Sequence, residues 1–188
     1  GMAGSLGGSP RPFTLGDVRS LKRSPYISST TPMVMGTANI NYQGLERDIG
    51  VLGTTHTMKR LFEYEVKSGR FLPELDLDNA SPVCVIGDTI ARELFGTAEP
   101  VGKWVRIGDR RVRVIGWLEQ GGQSGGRDLD EAVFVPIAFA MQVYNRESVQ
   151  RMMVEATSDE SLVKAKRDVI GIIKARHFGH EDITVMDQ

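Results

Sequence analysis

A chain of 188 residues, 40% hydrophobic and 25% charged, has room for one ordinary domain or two small ones and carries no disordered composition. Its formal net charge of -1 excludes a basic field that would gather nucleic acid or anionic lipid. A single cysteine, Cys84, excludes an intrachain disulfide, and no apolar run approaches the roughly 20 residues that cross a bilayer.

Residues 1–9, GMAGSLGGS, have no apolar centre of a signal peptide and read as an expression scar, so 1–13 are expected to be scar and linker outside the fold. Thr14 and Asp17 have capping-box spacing, and Leu15, Val18 and Leu21 recur every three residues, which predicts a helix over 14–22. Pro25 stops it. Residues 27–42 are rich in Thr, Val, Ile and Met and read as extended chain, with Pro32 predicting an edge or bulge. Gln43-Gly44 is a turn, and 46–52 return as the partner strand. One or two helical turns are expected over 55–61, then extended chain over 64–67.

The next stretch is punctuated differently. Residues 82–86 form a short, wholly apolar strand in which Cys84 serves as a small buried side chain. Asp88 is placed to cap a helix over 89–95, with Ile90, Leu94 and Phe95 inward and Gly96 in the left-handed position after it. Segments 104–107 and 111–118 flank Gly108-Asp109 as a hairpin. Arg110, Arg111 and Arg113 on it read as a solvated face. Four glycines in residues 120–126 predict a mobile loop. A strand over 132–135, closed by Pro136, and a helix over 137–144 follow.

Toward the end, 150–156 is a strand, and Thr157-Ser158-Asp159-Glu160 has the form of a capping box. Leu162, Ala165, Val169, Ile172 and Ile173 then share one helical face, with Lys164, Lys166, Arg167 and Lys174 away from it. A last strand is expected over 183–185. The fold class is therefore α+β: a split subdomain from 14–67 and 146–188, interrupted by an inserted β-rich subdomain over 68–145.

Chemistry-bearing residues are present but not grouped. His56 is isolated, and Gly179 breaks the helical spacing of His177 and His180, while a metal site needs three or four ligands. A histidine in a last helical turn is favoured by the helix dipole in any case. Glu74, Asp76 and Asp78 lack the central glycine and final glutamate of a calcium loop and read as a solvated loop. Asp128 and Asp130 are candidates for paired acid–base carboxylates, but no nucleophile accompanies them. Residues 121–126 lack the Lys-Ser/Thr of a phosphate loop, and Ser124 lacks Gly-x-Ser-x-Gly flanks. No residue is assigned to catalysis, a cofactor or a metal.

Several short motifs follow one another in fixed order: Gly69-Arg70-Phe71, Val85-Ile86-Gly87, Leu94-Phe95-Gly96, Pro100-Val101-Gly102-Lys103, Val114-Ile115-Gly116 and Val135-Pro136. Arg176-His177 and Asp182 follow near the end. In this order, over residues 14–187, the chain resembles the extracytoplasmic core domain of MacB-type ABC transporter permeases. The resemblance implies a porter-like subdomain built from both chain ends and an inserted β-rich one. It also implies a place on the periplasmic face of the bacterial cytoplasmic membrane, between the first and second membrane helices of a permease.

By that resemblance the role is coupling, not chemistry. ATP is hydrolysed on a separate domain or subunit, and the movement reaches this domain and its dimer mate through the membrane part. Cargo in the family includes macrolides, peptides, toxins and lipoproteins, often with a periplasmic adaptor protein. The loop residues Gln123, Ser124, Arg127 and Asp128 are the expected partner contacts, against the plainer reading of an unengaged connection. The fragment alone is expected to be soluble and monomeric, since no heptad seam occurs. Two alternatives stand beside this: a secreted module that binds a small ligand or peptide, and a hydrolase using Asp128 or Asp130.

Overall fold

The computed structural model describes residues 3–7, 13–121, 129–177 and 184–187. In chain order the elements are β1 (Ala3–Gly7), α1 (Leu15–Leu21), β2 (Ile27–Tyr42), β3 (Leu45–Thr54), α2 (Thr57–Phe62), β4 (Val66–Gly69), β5 (Val83–Ile86) and α3 (Asp88–Phe95). They continue as β6 (Trp104–Ile107), β7 (Arg110–Leu118), β8 (Ala132–Pro136), α4 (Ile137–Val143), β9 (Arg151–Ala156), α5 (Leu162–Arg176) and β10 (Thr184–Asp187). The chain divides into two compact units, one of Gly1–Met33 with Arg146–Gln188, the other of Val34–Asn145.

In the chain-end unit the strand order is β10-β1-β9-β2, antiparallel throughout. Helix α1 starts where the sequence places it: the Asp17 N–H donates to Thr14 Oγ1 at 3.2 Å, and the Thr14 N–H donates to Asp17 Oδ2 at 2.9 Å. Val18 and Leu21 of α1 are buried, as are Ala165, Val169 and Ile173 of α5. Leu162 and Ile172 lie at the margin of that face. The start of α5 differs from expectation. Thr157 and Glu160 form no capping box; the Ser161 N–H donates to Ser158 Oγ at 3.1 Å, and the helix proper begins at Leu162.

Part of the stretch expected to be scar and linker, 1–13, belongs to the fold. Ala3–Gly7 form a strand whose backbone pairs with β9 on one side and β10 on the other. Its small residues give no alternating pattern, so nothing in their side chains announces it; the two open strand edges supply the hydrogen-bonding partners.

The middle unit holds a closed ring of six strands, with the short β4 paired along β7. β2 pairs with β3 from Val34↔Gly53 to Tyr42↔Leu45, and β3 runs parallel to β8. β8 pairs with β5, β5 runs parallel to β7, and β7 pairs with β6. β6 then returns to β2 at Ile40↔Ile107, both buried, which closes the circle. A closed ring leaves no strand edge to be satisfied elsewhere. Helix α4 packs on β3 and β8, whose residues Ala132–Val135 are all buried.

Segment 34–67, expected with the chain ends, thus belongs to the middle unit. The physical reason is the ring: β2 and β3 supply two of its six strands, and the parallel partner of β3 lies far along the sequence. A second correction concerns Asp88. It does not cap α3, whose cap position is Gly87 with no side-chain bond. Its buried carboxylate instead accepts the Trp117 indole N–H at 3.1 Å and pairs with Arg92 at 2.9 Å.

Two of the ordered motifs meet in one backbone crossing. Gly69 sits opposite Gly116 in the β4–β7 pair, with φ +72° at Gly69. The Arg70 N–H donates to the Ile115 carbonyl at 3.0 Å, and a Cβ on Gly116 would collide with the Arg70 carbonyl oxygen. Gly116→Ala is therefore expected to lower stability by about 3 kcal/mol. Gly171→Ala, in open space on α5, should raise it by about 0.5–1 kcal/mol. Urea unfolding of both variants checks this; equal effects would contradict it.

Candidate interaction sites

The expected contact residues Gln123, Ser124, Arg127 and Asp128 lie outside the described residues. What is described is how the two flanks of 122–128 are seated. Asp130, 8% exposed, accepts the Gly121 N–H at 2.8 Å, which ties one flank to the other. The Gly87 N–H donates to the Ala132 carbonyl at 3.0 Å. A Cβ at Gly87 would strike the carbonyl oxygens of Leu129 and Asp130, so only glycine lets this backbone approach α3 so closely. The Val85-Ile86-Gly87 motif thus serves the base of the glycine-rich segment. Asp130, an acid–base candidate from sequence, is used here as a brace.

Beside these flanks is a cavity of about 240 Å³, with Phe62, Tyr64, Leu118 and Leu129 among its lining residues and Glu119 and Asp130 on the same wall. Tyr64 is wedged among rings, its centroid 5.9 Å from Phe62, 6.0 Å from Phe71 and 5.5 Å from Phe134. Burial pushes its hydroxyl well above the ordinary tyrosine value, so it stays neutral. The lining combines aromatic and aliphatic side chains with carboxylates.

The chain-end unit holds a buried charge network. Asp17, 2% exposed, receives Arg176 Nε–H at 2.5 Å and lies 3.1 Å from His177 Nε2. Arg176 also donates to Ser20 Oγ at 3.1 Å. Burial alone would raise the Asp17 carboxyl; the Thr14 amide, Arg176 and His177 together outweigh it and hold the group below its ordinary value. The sequence marks Arg176-His177 as a motif and Asp17 as a cap, but nothing local joins them across 159 residues. His177 is occupied with Asp17, and His180 lies outside the described residues.

The remaining candidates separate. Cys84 is fully buried and its thiol is pushed far up by burial, the opposite of an activated nucleophile. Glu74, Asp76 and Asp78 are exposed, and the turn after them is closed by the Asn79 N–H donating to the Asp76 carbonyl at 2.9 Å. His56 precedes α2 and makes no side-chain cap bond. Among the described residues, no three of His, Cys, Asp or Glu are grouped to hold a metal ion.

The family described as the MacB-like periplasmic core domain matches residues 2–172. The macrolide export ATP-binding/permease protein MacB of Nitrosomonas europaea is 30% identical over 185 residues, covering 96% of this chain and 28% of that protein. The pyoverdine export ATP-binding/permease protein PvdT of Pseudomonas aeruginosa is 26% identical, over 88% of this chain and 26% of its own length. The chain thus spans less than a third of these relatives. The extracellular domain of the ABC-type transporter YknZ from Gram-positive bacteria superposes with a TM-score of 0.83 at 20% identity, over 98% of this chain and 99% of that one. The periplasmic region of MacB from Actinobacillus actinomycetemcomitans gives 0.83 at 19% identity, over 98% and 88%. At those identities the superpositions establish the fold.

The Asp17 network makes a pH-dependent prediction. A carboxyl held below its unfolded value of about 3.9 contributes stability that is complete above that pH and lost as pH falls through the folded value. The melting temperature of the unmodified chain should exceed that of Asp17→Asn at pH 5 by a margin that shrinks as pH falls below about 4. Arg176→Ala should cost about 1–2 kcal/mol, discounted because its side chain is 40% exposed. A margin unchanged from pH 5 to pH 3 would count against this network.

Proposed function

Because this chain belongs to the MacB-like periplasmic core domain family, we propose that it is the extracytoplasmic part of an ABC exporter permease, moved by ATP hydrolysis elsewhere in the transporter. The observation that carries the reading is the pairing of the first and last strands. β1 and β10 are antiparallel neighbours, with Gly4 opposite Asp187 and Gly7 opposite Thr184. A domain inserted between two membrane helices must return its chain to the place it left, and this pairing meets that demand. Among the described residues no helix is long and apolar enough to cross a membrane.

The domain works by contact and displacement. Hydrolysis belongs to a separate ATP-binding domain or subunit, in keeping with relatives named as ATP-binding/permease proteins several times longer than this chain. Rigid units transmit displacement only if their seams hold. The pair of buried Asp17 with partly exposed Arg176 ties α1 to the end of α5, and the closed strand ring holds the middle unit. Gln123, Ser124, Arg127 and Asp128 meet a periplasmic adaptor protein in this reading. The braced flanks at Gly121 and Asp130 support it, because a contact segment needs a fixed base. The cavity at Phe62 and Leu129 favours a second reading, a secreted module that binds a small ligand.

Labelling separates the two. Asp159 is exposed and Cys84 is buried, so Asp159→Cys in the full-length protein gives one reactive thiol in this domain. A membrane-impermeant maleimide applied to intact spheroplasts should label it, with the product in the membrane pellet. Labelling only after lysis would overturn the extracytoplasmic reading, and labelled product in the medium would favour the secreted module. Replacing Gln123, Ser124, Arg127 and Asp128 together by alanine should weaken adaptor co-purification about tenfold and leave basal ATP hydrolysis in detergent unchanged. Undiminished co-purification would remove these residues from the interface.

A further inference from the structure

The outer face of the β6–β7 hairpin carries a cluster of exposed cations. Val105, Ile107, Val112 and Val114 point inward and are buried, while Trp104, Arg106, Arg111 and Arg113 alternate with them and are exposed. In the pairing register Trp104 faces Arg113, and Arg106 faces Arg111. Like charges directly opposite on a sheet are destabilising. Among the described residues no carboxylate forms an ion pair with either arginine of that pair. Among the described residues Arg106 reaches only the Asp109 carbonyl at 3.3 Å, and the Asp109 carboxylate sits 3.7 Å from Arg110. Arg111 and Arg113 instead lie over the Trp104 ring, at 4.2 Å and 6.0 Å from its centroid. Trp104 is itself 41% exposed, one of the few large apolar side chains left to solvent. Lys103 adds a further exposed cation just before β6.

Like charges held opposite one another with no neutralising carboxylate point to an external partner. Stacking on Trp104 orients the guanidinium groups and leaves their N–H edges free for bidentate acceptors. The geometry points to one occupant: we propose that this face docks an extended acidic segment of a partner protein, with carboxylates at alternate residues. Three features select it. Arg111 and Arg113, two residues apart on one strand, repeat at roughly 6.8 Å, the interval between alternate side chains of an extended peptide. The cations lie on two adjacent strands of the ring, a stripe matching the footprint of one peptide chain rather than of a membrane. And the net charge of -1 means that these cations form a local patch on a chain with no long-range pull toward an anionic surface. The apolar body of Trp104 supplies the contact against which the segment lies. This surface is distinct from the 122–128 segment and independent of the adaptor assignment made for it.

The test uses the domain as it stands and a fluorescein-labelled decapeptide of alternating Glu and Thr, followed by anisotropy at low salt. Binding should saturate, weaken about fivefold on Arg111→Ala and again on Arg113→Ala, and fall with added salt. Trp104→Leu, which keeps an apolar body and removes the ring, should also weaken it. Circular dichroism at 25 °C confirms that each variant is folded. Three results would overturn the proposal: no binding, equal binding of a peptide with its five glutamates contiguous, or binding unchanged by both arginine variants. Binding to vesicles of phosphatidylglycerol with none to the peptide would assign the face to lipid and likewise overturn it.

Discussion

The return of β6 to β2 is the constraint on which the middle unit rests. Ile40 and Ile107 face each other there with almost no exposure, and their burial is worth roughly 1.5–3 kcal/mol each. Without that junction β2 and β6 would each present an open edge, and the sheet would have no reason to curl. With it, one face of every ring strand is committed to the interior. The opposite face of β6 and β7 is then held outward, so Trp104 and the arginines are presented on a stiff surface. The same closure fixes β8 and β5, and through Gly87 it seats the backbone of Leu129 and Asp130.

What was legible in the sequence is what is local. The Thr14–Asp17 box, the Gly108-Asp109 turn and Gly96 past the end of α3 depend on residues within one turn of one another, and all stand where the spacing puts them. Non-local pairing was not legible. β1 is built of small residues and owes its existence to the edges of β9 and β10. The parallel partners β3 with β8 and β5 with β7 have no turn signal, so the chain appeared to divide after residue 67 rather than at Met33. Local polar signals also lost to distant ones. Asp88 left its capping role for Trp117 and Arg92, and the capping function of Thr157 passed to Ser158.

The candidate sites divide in the same way. The glycines of the ordered motifs were visible as punctuation, and their use is steric: Gly116 lets Arg70 pass, and Gly87 admits the base of the glycine-rich segment. The Asp17–Arg176 pair was invisible because its partners are separated by most of the chain. The arginines of β7 were read as a solvated face, which their exposure allows; the stacking on Trp104 needed the cross-strand register. In this chain the ordered motifs specify backbone geometry, and a functional reading has to rest on exposed side chains argued one by one.

The central claim is that this domain moves when ATP is hydrolysed elsewhere. The most direct test is a distance. A spin label on Glu46→Cys, exposed near the tip of the β2–β3 hairpin, would be placed in the full-length transporter, in both copies of the proposed dimer, and read by double electron–electron resonance. The account predicts that trapping the hydrolysis state with vanadate shifts the inter-label distance by on the order of 5 Å relative to the nucleotide-free transporter. An identical distance distribution in both states, in a transporter shown to hydrolyse ATP, would contradict it.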